Sequence, residues 1–453
     1  MALTRRLLPS LLSLAAVTAV AAVPASALAD APWSPPATIP GAAQLTAPLV
    51  VTSTGQGVAL AGANRSPDAP TGAASELVPL GLNGAVNGTI RGLRIADGQL
   101  ATYASNRTVV AGSTLDARGT ISDKSHVQVA LGTAGGAPGT LRGLSGSTSE
   151  HVFALASDHA GDVAIVTGNT KRRRVLVRRP GSSTFRSVLT INVSSRARGA
   201  TVAVGPQGDV LVVWEDDHHI FSRHIGRTGH PGKQFRIGDG VQSRLQAAID
   251  KSGRELVAWA SQRVNEGEAA TPAEVFFATA APGRGFGSAR HIESAGATGA
   301  GRFVGDPAVR LVVGPDGTTT VLAWTGFAGT HYVARAASIS GGRVGAAQIV
   351  SDPARNGVLG DLAVGPGGSA FVLWRAGVAG ADPDGTPSGV LAAVRPAAGA
   401  PFGGSEAITP AGQVAPVAPT VAAGPTAGTA LALVPRLTPA VDLQVAARAA
   451  SGG

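Results

Sequence analysis

The densest group of residues capable of acid–base or metal chemistry follows Trp214, in the run Glu215-Asp216-Asp217-His218-His219. Carboxylates and imidazoles bind metal ions and transfer protons. Neighbouring residues of an extended strand point to opposite faces, so these side chains do not converge on one ion. We therefore predict no metal site here and interpret the run as a solvated strand edge, with Glu215 and Asp216 kept as candidate ligand-binding residues.

Other candidates stand alone in long polar segments. Asp382-Pro383-Asp384-Gly385 begins like a calcium loop but lacks the later acidic ligands of an EF-hand, which favours a turn. The remaining candidates follow other apolar strands. The full set of candidate ligand-binding residues is Glu215, Asp216, Arg263, Glu266, Arg375 and Asp384.

The strongest basic run is Lys171-Arg172-Arg173-Arg174, followed by Arg178 and Arg179. A basic run of this kind can bind an anionic polymer, either a phosphate-rich cell-wall polymer or a nucleic acid. No aromatic stacking platform lies nearby, which disfavours nucleic acid. The formal net charge is +9, but only four of the 37 basic residues are Lys, a bias typical of a GC-rich bacterial genome. We give the charge little functional weight.

No linear motif in the sequence indicates catalysis or a cofactor. Gly-x-Ser-x-Gly, a P-loop and paired catalytic carboxylates are not evident, so no catalytic residue and no cofactor are predicted. The chain has no cysteine and therefore no disulfide framework. A ligand site would have to be assembled from residues that are distant in sequence, and the elements that position them decide where it lies.

A repeated strand–turn–strand unit provides those elements. Three copies run Thr201–Trp214, Leu311–Trp324 and Asp361–Trp374, each with a Gly-Pro-x-Gly centre, and Ala247–Trp259 is a fourth. Pro presets one backbone dihedral of a tight turn and Gly accepts positive φ. The flanking residues are β-branched or aliphatic, as in strands buried on both faces. Because Trp recurs at one position, we predict that it packs between repeats.

Two further strands complete each repeat. The third is exemplified by Tyr332–Ser338 and Val390–Arg395, and the fourth carries an aromatic residue six positions before Ile. That signature appears as Phe185 to Ile191, Phe286 to Ile292 and Phe402 to Ile408, with a looser version from Val344 to Ile349. Four antiparallel strands every 45 to 60 residues are typical of a propeller blade.

The two ends of the chain complement one another. The last repeat, from about Pro416 to Ala449, stops before any aromatic-to-Ile element, and Trp33 to Ile39 has that spacing. We predict that the first mature strand becomes the outer strand of the last blade, which closes the ring and removes free edges. The fold class predicted is an all-β propeller of four-stranded antiparallel blades. Eight blades are expected, with seven as the alternative if two early segments form one elaborated blade.

The architecture resembles that of secreted bacterial β-propeller repeat proteins, in the sialidase and WD40-like superfamily. The resemblance covers nearly all of the mature chain but concerns architecture only. Gly314-Pro315-Asp316-Gly317 is similar to a sialidase Asp-box, but the Trp falls at the end of the next strand, so that activity is not implied. The WD40 Gly-His and Trp-Asp pairing is absent. A superfold of this kind hosts many functions.

The N-terminus has the features of a signal peptide. Arg5 and Arg6 precede an apolar run and a small-residue cleavage site ending at Ala29. We expect a signal peptide at 1–29, with Sec or Tat export left open, and a single propeller domain at 30–453. The mature chain contains no apolar run long enough to span a bilayer. We expect a secreted, extracellular monomer.

The two faces of such a disc should differ. One carries the tight Gly-Pro turns, and the other carries the long segments 261–274, 375–389 and 293–306, where binding residues usually concentrate. We expect the ligand site on that long-loop face or at its channel mouth. The sequence favours a non-catalytic propeller that binds a protein or glycan at the cell surface or outside the cell. The alternative is a polysaccharide-acting glycoside hydrolase or lyase with a site on the same face.

Overall fold

The fold was analysed in a computed structural model of the chain. The structure describes residues 33–40, 42, 48–62, 75–114, 125–134, 136, 139–144, 150–197, 199–240, 244–261, 274–294, 309–377, 389–409, 418–436 and 442–450. Within these ranges almost every regular element is a β-strand, and the strands form eight separate antiparallel sheets. Each sheet is one blade, numbered here in chain order from the first complete sheet.

The first four blades each contain four strands in sequence order. Blade 1 contains β2 (Leu49–Val51), β3 (Gly57–Gly62), β4 (Ser75–Leu80) and β5 (Arg91–Leu93). Blade 2 contains β6 (Ile95–Tyr103), β7 (Arg107–Thr114), β8 (Val127–Thr133) and β9 (Arg142–Gly143). Blade 3 contains β10 (His151–Ser157), β11 (Val163–Gly168), β12 (Arg172–Arg178) and β13 (Arg186–Asn192). Blade 4 contains β14 (Ala200–Val204), β15 (Val210–Asp216), β16 (His219–Ile225) and β17 (Pro231–Asp239).

The other four blades repeat this plan with two variations. Blade 5 contains β18 (Arg244–Ile249), β19 (Glu255–Ser261), β20 (Glu274–Ala280) and β21 (Arg290–Ser294). Blade 6 splits its outer edge into two short strands and contains β22 (Val309–Val313), β23 (Thr320–Ala328), β24 (His331–Ser340), β25 (Arg343–Val344) and β26 (Gln348–Ile349). Blade 7 contains β27 (Gly357–Val364), a 3-10 turn (Pro366–Gly368), β28 (Ala370–Ala376), β29 (Gly389–Arg395) and β30 (Ser405–Ala407). Blade 8 contains β31 (Thr420–Ala423), β32 (Ala430–Arg436), β33 (Asp442–Arg448) and, from the other end of the chain, β1 (Ala37–Thr38).

This arrangement confirms the eight-bladed propeller and rules out the alternative of seven. The early part of the chain forms blades 1 and 2 as two separate sheets. In blade 1, Arg91–Leu93 is the fourth strand and pairs with β4. That strand lacks the aromatic-to-Ile spacing, so the sequence pattern did not reveal it.

Ring closure by the N-terminal strand is also confirmed. Ala37 lies opposite Val445, and Trp33 forms an isolated antiparallel bridge with Arg448. The Ile39 amide donates to the Leu443 carbonyl at 2.9 Å. Trp33 packs in the cluster between blades 7 and 8, and Ile39 in the cluster between blades 8 and 1. The terminal strand therefore contributes to the seams on both sides of blade 8.

The core lies in the seams between blades. Each repeated Trp, near the end of a second strand, is at most 1% exposed and packs against the preceding blade. The four residues are Trp214, Trp259, Trp324 and Trp374. This confirms their prediction as inter-blade packing and explains why a blade that is apolar on both faces is stable only beside its neighbours.

Buried arginines close the ends of the third strands in three blades. Arg178, Arg395 and Arg448 occupy equivalent last positions opposite the start of the second strand. Each donates to the carbonyl of a glycine in the first turn of its own blade, namely Gly161, Gly368 and Gly428. Each also contacts the preceding blade, at Tyr103, Ser338 and Glu406 respectively. These arginines therefore have a structural role, because each joins its own first turn to the preceding blade.

Among the described residues, no helix has the length and apolar character needed to cross a membrane.

Candidate functional site

A cavity opens at the centre of the disc, on the face that carries the tight turns. Its volume is about 880 Å³, and first-to-second-strand turns from seven of the eight blades line it. We call it the turn-face cavity. A cavity of this size on a rigid β scaffold falls within the range of ligand pockets.

The floor of the turn-face cavity is an apolar collar. It is formed by the last residue of the innermost strand in six blades, where the strand leaves the packed seam. The collar residues are Val51, Val204, Ile249, Val313, Val364 and Ala423. They are conformationally fixed because the strands that carry them pair with the second strand of their own blade.

The rim of the cavity is built from the turns that identified the repeat. In blade 4 the Gly205 amide donates to the Asp209 carbonyl at 2.9 Å and closes the turn around Pro206. In blade 6 Gly317 has a φ of +69°, and a Cβ there would lie 2.8 Å from Cβ of Lys251 in blade 5. Glycine is required at this point for both the left-handed backbone and the contact between adjacent turns.

In each of the seven turns that line the cavity, the second residue of the turn is a lining residue. The register of the repeat therefore predicts which side chains form the rim. Four of them are prolines, at equivalent positions in blades 4, 6, 7 and 8. The others are polar, in blades 1, 3 and 5. The rim residues are Ser53, His159, Pro206, Lys251, Pro315, Pro366 and Pro425.

Two carboxylates line the cavity, and both are engaged in their own turns. Asp158 accepts from the Gly161 and Asp162 amides at 2.8 and 2.7 Å. Burial, with repulsion from Asp162, raises its pKa despite those hydrogen bonds. Burial also opposes the ionisation of Asp316, but hydrogen bonds from Thr319 and Thr318 outweigh it and lower its pKa. The two carboxylates stabilise the turns that carry them. They also place acidic groups at a rim that carries basic groups.

Lys251 and His159 are the rim groups able to carry positive charge. Both side chains are exposed, and neither makes an ion pair within the described ranges. The Lys251 amide donates to the Gly317 carbonyl at 2.7 Å, so its backbone is fixed against the next blade. Both cationic groups are therefore held on one side of the rim, in blades 3 and 5.

The predicted ligand residues lie on the opposite, long-loop face or outside the described residues. Glu215 and Asp216 end β15 in blade 4, and Arg375 lies near the end of β28 in blade 7. Glu215 is 2% and Arg375 8% exposed, and Asp216 accepts from the Ser194 amide at 2.9 Å. Arg263, Glu266 and Asp384, with most of the three long segments, lie outside the described residues. The proposed long-loop site remains a prediction.

The acidic and histidine run after Trp214 forms a hairpin turn between β15 and β16. Asp217 and His218 both have positive φ, of 47° and 68°, as in the two-residue turns that match strand twist. His219 pairs with Asp239 at 2.8 Å. No group of three or more potential metal ligands forms among the described residues.

The basic run is divided between the two faces. Arg172 and Arg174 pair with the fully buried Glu150 at 3.2 and 3.4 Å, on the long-loop side of blade 3. Arg173 is 2% exposed and stacks over Phe153, and burial lowers its pKa to about 10. Arg178 ends the same strand and Arg179 follows it, roughly 20 Å away from Arg172 at about 3.3 Å per residue. A continuous basic surface for an anionic polymer does not form from this run.

Two smaller cavities lie in seams between blades. One of about 330 Å³ lies beside Trp374, between blade 7 and the connection 351–356 that follows blade 6, and one of about 420 Å³ lies between blades 5 and 6 beside Trp324. In the second, Glu293 accepts from the Trp324 indole at 2.7 Å and pairs with Arg335 at 3.1 Å. Its polar groups therefore serve the seam.

The turn-face cavity was not predicted from the sequence, because the Gly-Pro turns were interpreted only as connections between strands. A signal was nevertheless present. His159 and Lys251 replace proline at the second position of an otherwise regular turn, and a charged residue at one position of a repeat is a local departure from the pattern. Aligning the turns by register identifies the rim before any coordinates are known.

Comparison with known proteins supports the fold. No protein-family model matches the sequence, and no curated protein matches it. The structure is similar to the propeller of Dos1, with a TM-score of 0.52, 8% identity and coverage of 95% of this chain and 97% of that one. It is also similar to hydrazine synthase of Kuenenia stuttgartiensis, with a TM-score of 0.43, 15% identity and coverage of 73% and 90%.

A polysaccharide lyase, Uly1, matches with a TM-score of 0.43, 8% identity and coverage of 76% of this chain and 88% of that one. At these identities a similarity concerns the fold alone, and of these three comparisons the one with Dos1 exceeds a TM-score of 0.5. The chain is an eight-bladed β-propeller whose ring is closed by a strand from its N-terminal end.

Proposed function

We propose that this protein is an exported, non-catalytic propeller that binds a segment of a partner protein in the turn-face cavity. The observation that carries the proposal is the composition of that cavity, an apolar collar beneath a rim of repeated prolines. Exposed apolar surface on a well-packed protein marks an interaction site when it is concave and rimmed by polar groups.

The preorganisation of the site favours binding. The collar and rim belong to hydrogen-bonded turns on paired strands, so little conformational entropy is lost when a partner is bound. Proline has almost no side-chain freedom to lose. An apolar segment buried here gains about 25 cal/mol per Å² of apolar surface removed from water.

The chemistry of the lining favours a protein segment over a glycan. Sugar rings present C–H groups that pack against the electron-rich faces of Phe, Tyr and Trp, and the described residues of the lining include none of these three. Aliphatic and proline side chains instead suit the apolar side chains of a polypeptide. The two carboxylates of the lining accept hydrogen bonds within their own turns, so their role is to stabilise the wall of the cavity.

The place of action follows from the N-terminal sequence. Arg5 and Arg6, the apolar run and the site ending at Ala29 indicate export, so the partner would be met at the cell surface or outside the cell.

The test uses the mature chain from Asp30 and a random heptapeptide library displayed on phage. Val313→Gln places an amide in the collar, and Val86→Gln makes the same change at an exposed residue of blade 1. We expect enriched peptides to bind Val313→Gln at least 10-fold more weakly than wild type and Val86→Gln equally well, with both variants retaining the wild-type melting temperature.

Equal binding of the enriched peptides to the Val313→Gln variant would refute the site. Failure to enrich any peptide, with retention of the protein on a polysaccharide array instead, would refute the proposed partner class.

A further inference from the structure

The rim of the turn-face cavity is divided by chemistry. Three consecutive blades, 6, 7 and 8, each contribute a proline at the second turn position, and together Pro315, Pro366 and Pro425 form what we call the proline arc. On the other side, blades 3 and 5 contribute His159 and Lys251, which flank Pro206 of blade 4. A symmetric ring of blades thus carries an asymmetric rim.

The proline arc is suited to an aromatic side chain. Proline rings present polarised C–H groups, and the face of an aromatic ring carries the negative end of its quadrupole. Pro366 and Pro425 are half-buried and Pro315 is exposed, so all three rings retain surface that a ligand can contact. Because the turns hold these rings in place, an aromatic ring packs on them at little entropic cost.

Lys251 lies beside one end of that arc, on the blade next to Pro315. The carboxylates of its own turn and of the adjoining turn of blade 6 both accept hydrogen bonds within those turns. Asp250 accepts from the Ser252 and Arg254 amides at 2.8 and 3.0 Å, and Asp316 accepts from the Thr318 and Thr319 amides at 2.9 Å each. The Lys251 ammonium makes no ion pair in the described ranges, and its backbone is fixed by the Gly317 carbonyl.

We infer that the partner segment presents an aromatic side chain to the proline arc and a neighbouring carboxylate to Lys251. This inference rests on the proposed function, since it specifies the chemistry of the segment that the cavity binds. An ammonium–carboxylate contact at an exposed rim adds specificity more than affinity. The apolar contact supplies most of the free energy, and the charge selects among apolar segments.

The probe is the heptapeptide library enriched on the wild-type protein, followed by the tightest recovered peptide made synthetically. We expect an aromatic residue next to Asp or Glu in the enriched sequences. Lys251→Gln should weaken binding of that peptide about 5-fold, the size of an exposed charge contact. The matched control is Lys171→Gln, which removes an exposed lysine on the long-loop side and should leave binding unchanged.

A second peptide, with its acidic residue replaced by the amide, separates the two proposals. It should bind wild type and the Lys251→Gln variant equally, and high salt should remove the advantage of the acidic peptide on wild type. Enrichment of basic or uncharged peptides, or equal binding of the acidic peptide to both proteins, would overturn this inference. If Val313→Gln still weakens binding in that case, the proposed function stands. If Val313→Gln has no effect on peptide binding, the proposed function itself is refuted.

Discussion

Two seams of the ring each bury a tryptophan but differ in the charged groups that cross them. At the closing seam, between blades 7 and 8, Trp33 is 7% exposed and meets Phe371 edge-on, with ring centroids 6.4 Å apart. Arg448 forms two 3.0 Å hydrogen bonds with the Glu406 carboxylate. The charge on an arginine is permanent at physiological pH, so this seam is insensitive to moderate pH change.

The seam between blades 4 and 5 uses a titratable pair. His224 donates from Nδ1 to Oε1 of the buried Glu255 at 2.6 Å, and Asp209 is the other carboxylate that acts on it. Its tryptophan, Trp259, donates from the indole to the Asp239 carbonyl at 3.1 Å. Equivalent seams of one repeat protein can therefore respond differently to pH, depending on one residue type.

The largest effect is expected from removing the side chain that closes the ring. Trp33→Ala should lower the free energy of unfolding by about 3 to 5 kcal/mol, because it leaves a cavity at the closing seam. Denaturant titration monitored by circular dichroism measures the change. Trp33→Phe is the matched control and should cost less, since it keeps an aromatic ring against Phe371. A loss below about 1 kcal/mol for Trp33→Ala would show that the terminal strand contributes little beyond its backbone pairing.

The second-largest loss of stability is expected from removing the arginine charge of the same seam. Arg448→Met should cost about 3 kcal/mol, because it leaves Glu406 without its partner. Arg395→Met removes an equivalent arginine whose partners are the Gly368 carbonyl and the Ser338 hydroxyl, and it should cost about 1 kcal/mol. Thermal unfolding of both variants tests the difference. Equal losses would mean that the contact with the turn carbonyl, common to both, dominates.

The smallest effect depends on pH. The hydrogen bond to Glu255, opposed by burial, raises the pKa of His224 above its ordinary value. Its contribution is therefore complete below the unfolded pKa of about 6.5 and is lost as pH rises through the folded value. His224→Gln should cost about 1.5 kcal/mol at pH 6 and less at pH 9, as read from melting temperatures across that range.

His219→Gln is the control for this pH dependence, because it changes an exposed histidine paired with an exposed Asp239. An exposed pair contributes little, so this variant should follow the wild-type curve. A His224→Gln variant with the same stability difference at both pH values would contradict the role assigned to the titratable pair.

Much of the fold could be predicted from the sequence because each repeat contains its own local signals. The Gly-Pro turn, the Trp at the end of the second strand and the aromatic-to-Ile spacing each specify one element. Their recurrence gave the blade, and the missing fourth strand of the last repeat gave the closure by Trp33. Arg91–Leu93 was missed because a three-residue outer strand carries too few side chains for a periodic signal.

The candidate site was less predictable because it depends on distance across the ring. Rim residues from blades 3 and 6, such as His159 and Pro315, are more than 150 positions apart in the sequence but line one cavity. Long polar loops attracted attention in the sequence because they carry charged residues. The tight turns are short and regular, and only their arrangement around an axis makes the surface that they form concave.

The sequence by itself determined that this chain repeats a strand–turn–strand unit, buries tryptophan between repeats and uses its N-terminal end to complete the last one. These properties follow from local periodicity and from the need to pair every edge. Only the tertiary structure decided which charges are buried in pairs and which remain at the rim. Arg173 and Lys251 are both cations in the sequence, but the first is enclosed by its own blade and the second stands at the mouth of the cavity. Burial and partner geometry separate the two, and both depend on residues brought together by the closed ring.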